Sequence, residues 1–433
     1  MQGGVLAGVS SETVSFLLPL AARDDVALLH VDGFRSNSTF VASLPRYQQI
    51  ALRDLPVLSL DVVAKTLAVE RRRCIHVIGW DPGYYRAKLK LVARVGRIAL
   101  PAASAMAQRK RCAVVGRVMF ETDTLPPHWL HTMRELDEVW VPSRFMQDIV
   151  ARALGAEAQP KRCVAEQCAA TATATPPRVP IRTKVLHEPL DTRDWFGAPH
   201  PGRAAARARL LPPGCPNNAV VFLSVFKWER RKGGSALISA FDAEFGNTRD
   251  ARDACLVLRT KLPEGTSLDA LRGVAEGAAA TAPHPFVATV PQLAGLDYAL
   301  LYAAADVFVL PSHGEGWGRT LVEGMAMGLP VIGTNWGGAT EFLKLAAEGS
   351  GGPAVDVDDV FRAASVGKWA TIEPDALRAV LRRAFEMSPA ERRALGRVAR
   401  ASAIQFDQRV VGDELHELLR SAAHPQRRAE AAH

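Results

Sequence analysis

Cysteine is scarce in this chain. There are six in 433 residues (Cys74, Cys112, Cys163, Cys168, Cys215 and Cys255), with no CxxC pair. A chain this long with so few excludes a disulfide framework of the small secreted kind. Cys163 and Cys168 have no companion histidine at zinc-finger spacing, so structural zinc is not expected. A reducing, cytoplasmic compartment fits this usage best. Aromatics are also few, at 7%, and no strand interleaves them with basic residues, which argues against nucleic acid as the partner. No run of about 18 apolar residues occurs, so no membrane-spanning helix is expected. The early apolar run Phe16–Ala22 contains Pro19 and is followed by Arg23, Asp24 and Asp25. A secretory leader needs a basic start and a longer apolar core, so the run fails as one.

What remains is an ordinary globular mix, 48% hydrophobic and 23% charged, with a formal net charge of +8. That length suggests two or three domains. Basicity is compatible with anionic ligands or acidic surfaces and selects neither. Its distribution is uneven: Pro82 to Arg117 holds nine Lys or Arg and no Asp or Glu. The bland reading is a solvated helix face with a basic loop. The sharper one is peripheral contact with an anionic membrane.

Short β-branched apolar runs alternate with amphipathic stretches. Strands are expected at Val26–Val31, Ile75–Ile78, Cys112–Met119, Glu138–Val141, Thr183–Leu186, Val220–Val225, Cys255–Leu258, Val307–Leu310 and Pro330–Ile332. Helices are expected at Ser143–Ala153, Gly234–Phe245, Leu296–Ala304, Thr320–Met327 and Asp375–Phe385. The alternation predicts an α/β fold with parallel sheets covered on both faces. Ala165–Pro180 reads as an exposed insertion. The proline-rich stretch 196–217, carrying a basic patch at Arg203, Arg207 and Arg209, reads as a connector with a short helix inside. The division is therefore 1–195, connector 196–217, 218–403, and a C-terminal helix over 404–424, with Pro425–His433 frayed.

Chemistry concentrates between Asp306 and Ile332. A buried strand turns at Pro311 and Ser312 into a loop with Gly314, Gly316 and Gly318, which enters a helix. Glycines allow close ligand approach, and a helix start favours an anion. Glu315 and Glu323 lie eight positions apart. On one uniform helix they would stand about 80° apart around the axis and about 12 Å along it. With Glu315 in the loop and Glu323 in the helix, they can instead touch different parts of one long ligand, because carboxylates accept hydrogen bonds from sugar hydroxyls. The bland reading makes Glu323 an exposed first-turn acid. A second strand end presents Lys227, Arg230, Arg231 and Lys232, enough cations to neutralise a diphosphate without a metal. The bland reading there is a solvated basic turn. Asp356, Asp358 and Asp359 look like an acidic metal motif but lack the strand-turn context, so they are read as a loop and no catalytic metal is predicted.

In this order the segments resemble the GT-B-fold glycosyltransferases, and within them retaining family 4. Glu315 to Glu323 matches the family's E-x7-E motif. Lys227 to Lys232 and Gly233 matches R-x4-K-G, with lysine where arginine is usual. Thr334, Gly337 and Gly338 match T-x2-G-G. The stretches Val139–Ser143 and Val185–Asp191 are similar more weakly. The resemblance implies two Rossmann-like domains facing across a cleft, an N-terminal acceptor domain and a C-terminal donor domain. It implies transfer of a sugar from a nucleotide-sugar donor to a hydroxyl of a carbohydrate or lipid-linked acceptor, with retention and no cofactor. Catalytic roles would fall to Lys227, Lys232 and Glu315. Donor contacts would come from Glu323, Arg231 and the backbone of Gly316, Trp317 and Gly318. Gly3 and Gly4 would belong to an N-terminal glycine loop, with the strand before it short or missing. Glu121 and Asp123 are acceptor-side candidates, or else cap the segment Pro126–Leu136. The final helix would return to the N-terminal domain. A sugar phosphorylase, a nucleotide-sugar epimerase, or a binding protein of this fold without turnover remain as alternative readings.

Overall fold

The computed structural model describes residues 74–79, 112–156, 181–194, 196–246, 248–272, 286–290, 293, 296–343 and 369–423. They fall into two compact units. One holds the described residues of Glu188–Gly412, and the other those up to His187 together with Asp413 onward.

The smaller unit is a four-stranded parallel sheet in the order β1-β2-β3-β4, formed by β1 (Cys74–Gly79), β2 (Cys112–Arg117), β3 (Glu138–Val141) and β4 (Arg182–Val185). Helices α1 (Pro127–Met133) and α2 (Arg144–Ala156) connect successive strands. All four β3 residues are buried, as a central strand covered on both faces requires. Glu138 is tolerated there because Arg182 and Lys184 pair with it at 3.0 and 3.1 Å and Trp140 Nε1 donates to it at 2.9 Å.

The larger unit is a five-stranded parallel sheet in the order β7-β6-β5-β8-β9. Its strands are β5 (Val220–Val225), β6 (Ala254–Arg259), β7 (Phe286–Val290), β8 (Val307–Leu310) and β9 (Val331–Gly333). The helices are α3 (Arg203–Leu210), α4 (Gly234–Phe245), α5 (Leu268–Arg272), α6 (Leu296–Ala304), α7 (Arg319–Ala326), α8 (Pro374–Glu386) and α9 (Pro389–Ala403), while α10 (Gln408–Ala423) starts in this unit and from Asp413 belongs to the smaller one. On one sheet face Phe222 packs against Phe241 and Phe245 of α4, with ring centroids 5.5 and 6.0 Å apart. α3 lies inside the expected connector, where Ala206 packs on Ala303 and Ala304 of α6. The basic patch of that connector is spent internally. Arg203 and Arg207 pair with the buried Asp306, and Arg209 pairs with Asp297.

Three details depart from the sequence reading. β7 was not expected. The 404–424 helix begins instead at Gln408, after a single 3-10 turn over Ile404–Phe406. Cys215 is bonded to Cys255, with Cα atoms 6.0 Å apart, and ties the end of the connector to β6. A separation of 40 residues gives no hint of that proximity in sequence, and one such staple is not a framework. The expected strand Val26–Val31, the insertion Ala165–Pro180, nearly all of the basic tract before Arg111, the Asp356–Asp359 loop and the tail Pro425–His433 lie outside the described residues.

Candidate functional site

The carboxyl ends of β5 and β8 bring Arg231, Lys232 and Glu315 together. This is the edge where open parallel sheets bind ligands. The chain leaves β5 through Lys227 into a single turn, Arg230–Lys232, that ends at Gly233 with φ +69. A Cβ at Gly233 would stand 2.0 Å from the Pro311 carbonyl oxygen, so glycine is required both by backbone conformation and by space. That close approach brings the β5 and β8 loops together. His313 N–H donates to the Arg231 carbonyl at 2.7 Å.

Lys232 Nζ thereby reaches Glu315 Oε1 at 2.6 Å, and Arg231 reaches Glu315 Oε2 at 3.3 Å and the Gly314 carbonyl at 2.6 Å. Glu315 is buried. Burial pushes its carboxyl up, but Lys232, Arg231 and hydrogen bonds from Lys232 and Ser312 outweigh that and hold it below its ordinary value. The loop is braced from β9: Thr334 Oγ1 donates to the Ser312 carbonyl at 2.6 Å, and Gly338 N–H to the Glu315 carbonyl at 2.7 Å.

Gly318, with φ +99, starts α7, and Glu323 is its fifth residue. Glu323 is buried, contrary to the bland expectation of an exposed acid. Tyr298 and Tyr302 of α6 both donate to its Oε2, at 2.6 and 2.7 Å, and Arg319 donates to Oε1 at 3.2 Å. Burial first, and then the Glu323 charge, push both phenols well above their usual range. They stay protonated donors at neutral pH. Neither tyrosine was singled out in the sequence. The available signal was a pair of phenols one helical turn apart, just before the motif strand.

Of the other sequence candidates, Lys227 does not join this cluster. It is exposed and pairs with Glu229 at 2.7 Å, so Arg231 is the second cation on Glu315. Gly316 and Gly318 lie in the loop as expected. The Trp317 side chain is buried against Phe342 and Phe406, with centroids 5.1 and 4.9 Å away. It packs the loop from beneath. Glu121 and Asp123 belong to the smaller unit. Neither caps α1, which starts at Pro127 after Pro126 and has no side-chain cap. Asp123 Oδ1 is buried without a hydrogen-bond partner. Gly3 and Gly4 lie outside the described residues. Among the described residues, no group of three His, Cys, Asp or Glu could hold a metal ion, and no helix is long and apolar enough to cross a membrane.

Residues 217–365 match the family described as glycosyl transferases group 1. Curated relatives include the D-inositol 3-phosphate glycosyltransferases of Saccharomonospora viridis and Geodermatophilus obscurus. The first is 31% identical over 220 residues, 51% of this chain and 46% of the relative. The second is 32% identical over 218 residues, 50% of this chain and 44% of the relative. The match thus spans under half the length of these relatives. Among solved structures, Anabaena HepE in complex with UDP and glucose aligns at TM-score 0.60 and 17% identity, covering 97% of this chain and 98% of HepE. The trehalose 6-phosphate synthase of Burkholderia multivorans aligns at TM-score 0.52 and 13% identity, covering 88% and 78%. The fold is that of these structures, the GT-B fold. Within it, the larger unit carries a glycosyl transferases group 1 segment that includes Lys232, Glu315 and Glu323.

Proposed function

We propose that this chain is a retaining, metal-independent glycosyltransferase of family 4 that moves a sugar from a nucleotide-diphosphate sugar to an acceptor hydroxyl. The observation that carries this reading is the Arg231–Lys232–Glu315 cluster on the same sheet edge as the tyrosine-held Glu323. Lys232 and Arg231 take the donor diphosphate and stabilise the charge that grows on it as the glycosidic bond breaks. Glu315 receives hydroxyls of the sugar, with the Gly316–Gly318 backbone beside it. Glu323 receives the ribose. In front-face transfer the departing phosphate oxygen takes the acceptor proton, so no carboxylate nucleophile is needed. The smaller unit supplies the acceptor side, with Asp123 and Glu121 as its candidates, and Lys227 remains a candidate contact beyond the buried cluster.

The test is a thermal-shift screen against nucleoside diphosphates and their sugars, followed by product analysis. A donor bound at 100 times its Kd should stabilise the fold by about 2.7 kcal/mol. UDP-glucose is the first donor to try, given the HepE complex, and D-inositol 3-phosphate the first acceptor, given the curated relatives. Stabilisation with product formation supports transfer, and stabilisation without product favours a binding protein. Turnover that requires free phosphate makes the chain a phosphorylase. A cytoplasmic location belongs to this reading through the scarcity of cysteine, and the basic tract Pro82–Arg117 supports peripheral contact with anionic membrane. Equal pelleting with anionic and neutral vesicles would remove that part.

A further inference from the structure

One cation on this sheet edge has no task in the cluster just described. Arg259 ends β6, one strand beyond β5 from the Glu315 loop. Its guanidinium lies over the Tyr298 ring, 5.2 Å from the centroid. Its Nε is buried and has no hydrogen-bond partner. The adjoining Thr260 Oγ1 is also buried and unpartnered. Buried donors without acceptors are uncommon and costly, and two neighbours at a ligand-binding sheet edge point to a ligand that supplies them. Tyr298 ties this pair to the rest of the site, because its hydroxyl is on Glu323 while its ring supports Arg259. Arg259 therefore stands one aromatic ring away from the carboxylate assigned to the ribose, and it makes no ion pair with Glu315.

We propose that Arg259, held by Tyr298 and assisted by Thr260, reads the nucleobase of the donor. The proposal rests on the donor reading given above. A guanidinium only donates hydrogen bonds. It therefore selects an oxo edge over the amino edge of the matching base: uracil over cytosine, and guanine over adenine. An amino group facing Arg259 would leave donors opposed and unpaired, which costs more than the loss of a neutral contact. Glutamine at this position both donates and accepts, so it should not discriminate.

The experiment is calorimetric titration of the full chain with UDP, CDP, GDP and ADP, repeated on Arg259→Gln and Arg259→Lys. Melting curves verify that each variant is folded. The expected result is about 10- to 100-fold tighter binding of UDP than CDP, or of GDP than ADP, a span set by hydrogen bonds to a charged group. That ratio should collapse towards one in Arg259→Gln and survive in part in Arg259→Lys. If the wild type binds an oxo-edged nucleotide and its amino counterpart equally, the base-reading role fails while the donor site stands. If Arg259→Gln weakens all four nucleotides alike, the residue serves the phosphates or the fold and the proposal is overturned. If none of the four binds, both the donor reading and this proposal fail.

Discussion

Lys232 Nζ stands 2.6 Å from Glu315 Oε1, across 83 residues of sequence. The residue assigned to the diphosphate and the residue assigned to the sugar thus form one charge pair. Arg231 closes the pair from the other carboxylate oxygen at 3.3 Å. Movement of either loop is therefore felt by both contacts.

Replacing Lys232 by alanine removes the cation nearest the departing phosphate. Turnover should fall about 100- to 1,000-fold or more, as when one donor to a developing negative charge is lost. The fold should survive, since Arg231 still neutralises Glu315. Initial rates with a verified donor check this, and near-wild-type turnover would end the diphosphate assignment.

The same pair sets a dependence on acidity. The Glu315 carboxyl is held below its ordinary value near 4.5. The unfolded chain therefore binds this proton first. Stability from the group is fully present above that ordinary value and is lost as pH falls through the folded one. In Lys232→Ala one cation is gone while burial still pushes the carboxyl up, so the folded value moves towards the unfolded one and the acid-side loss from this group should be smaller and end at higher pH than in the wild type. Chemical denaturation from about pH 7 down to about pH 3 would follow it. Superimposable acid limbs for the two proteins would count against the pairing.

Much of this arrangement was legible in the sequence, for identifiable reasons. β5 and β8 are uninterrupted buried runs, and glycines mark the turns that follow them. The motif residues sit at those turns, so Lys232, Glu315 and Glu323 could be named without coordinates. β7 was missed because Phe286–Val290 is an edge strand, mostly half-buried, with alanine and threonine in place of a strong alternation. Lys227 stands apart from the buried cluster because spacing to Lys232 says nothing of direction, and Glu229 two residues on pairs with it. Tyr298 and Tyr302 lie in the expected helix Leu296–Ala304, where the pattern gives no reason to separate them from their neighbours. Only the crossover of α6 towards β8 shows that their hydroxyls meet Glu323.

Those hydroxyls limit what Glu323 can still accept. Two phenols on Oε2 occupy both of its lone pairs, and Arg319 takes one on Oε1. One acceptor position is left for a ligand. Glu323→Ala should lower nucleotide affinity about tenfold, the worth of a single hydrogen bond to a charged group. The Tyr298 and Tyr302 hydroxyls lie 3.2 Å apart and can pair with each other, so one is left without an acceptor and stability should fall by about 1–3 kcal/mol. Glu323→Gln keeps an acceptor oxygen for the tyrosines and should restore most of the stability but little of the affinity. Calorimetry and melting on the two variants separate these effects. Unchanged nucleotide affinity in both would remove the ribose role.

The backbone at Gly338 lies close against the loop bearing Glu315. A Cβ at Gly338 would stand 1.8 Å from the Gly316 carbonyl oxygen and 2.5 Å from its carbon. Neither is the far end of a flexible side chain, so alanine can enter only by pushing the Glu315 loop away from β9. That displacement also breaks the 2.7 Å bond from Gly338 N–H to the Glu315 carbonyl. Gly338→Ala should cost about 1–3 kcal/mol of stability, in the range of other forced overpacking, and should weaken diphosphate binding because Lys232 loses its registered partner. Gly155, near the end of α2, has nothing within 4 Å of a built Cβ. Gly155→Ala is the control, and in a helix it should be neutral or stabilise by up to about 1 kcal/mol. Melting temperatures and nucleotide titrations on the pair make the comparison. If Gly338→Ala melts and binds like Gly155→Ala, the loop is not held by this contact, and the steric account of the site's rigidity is wrong.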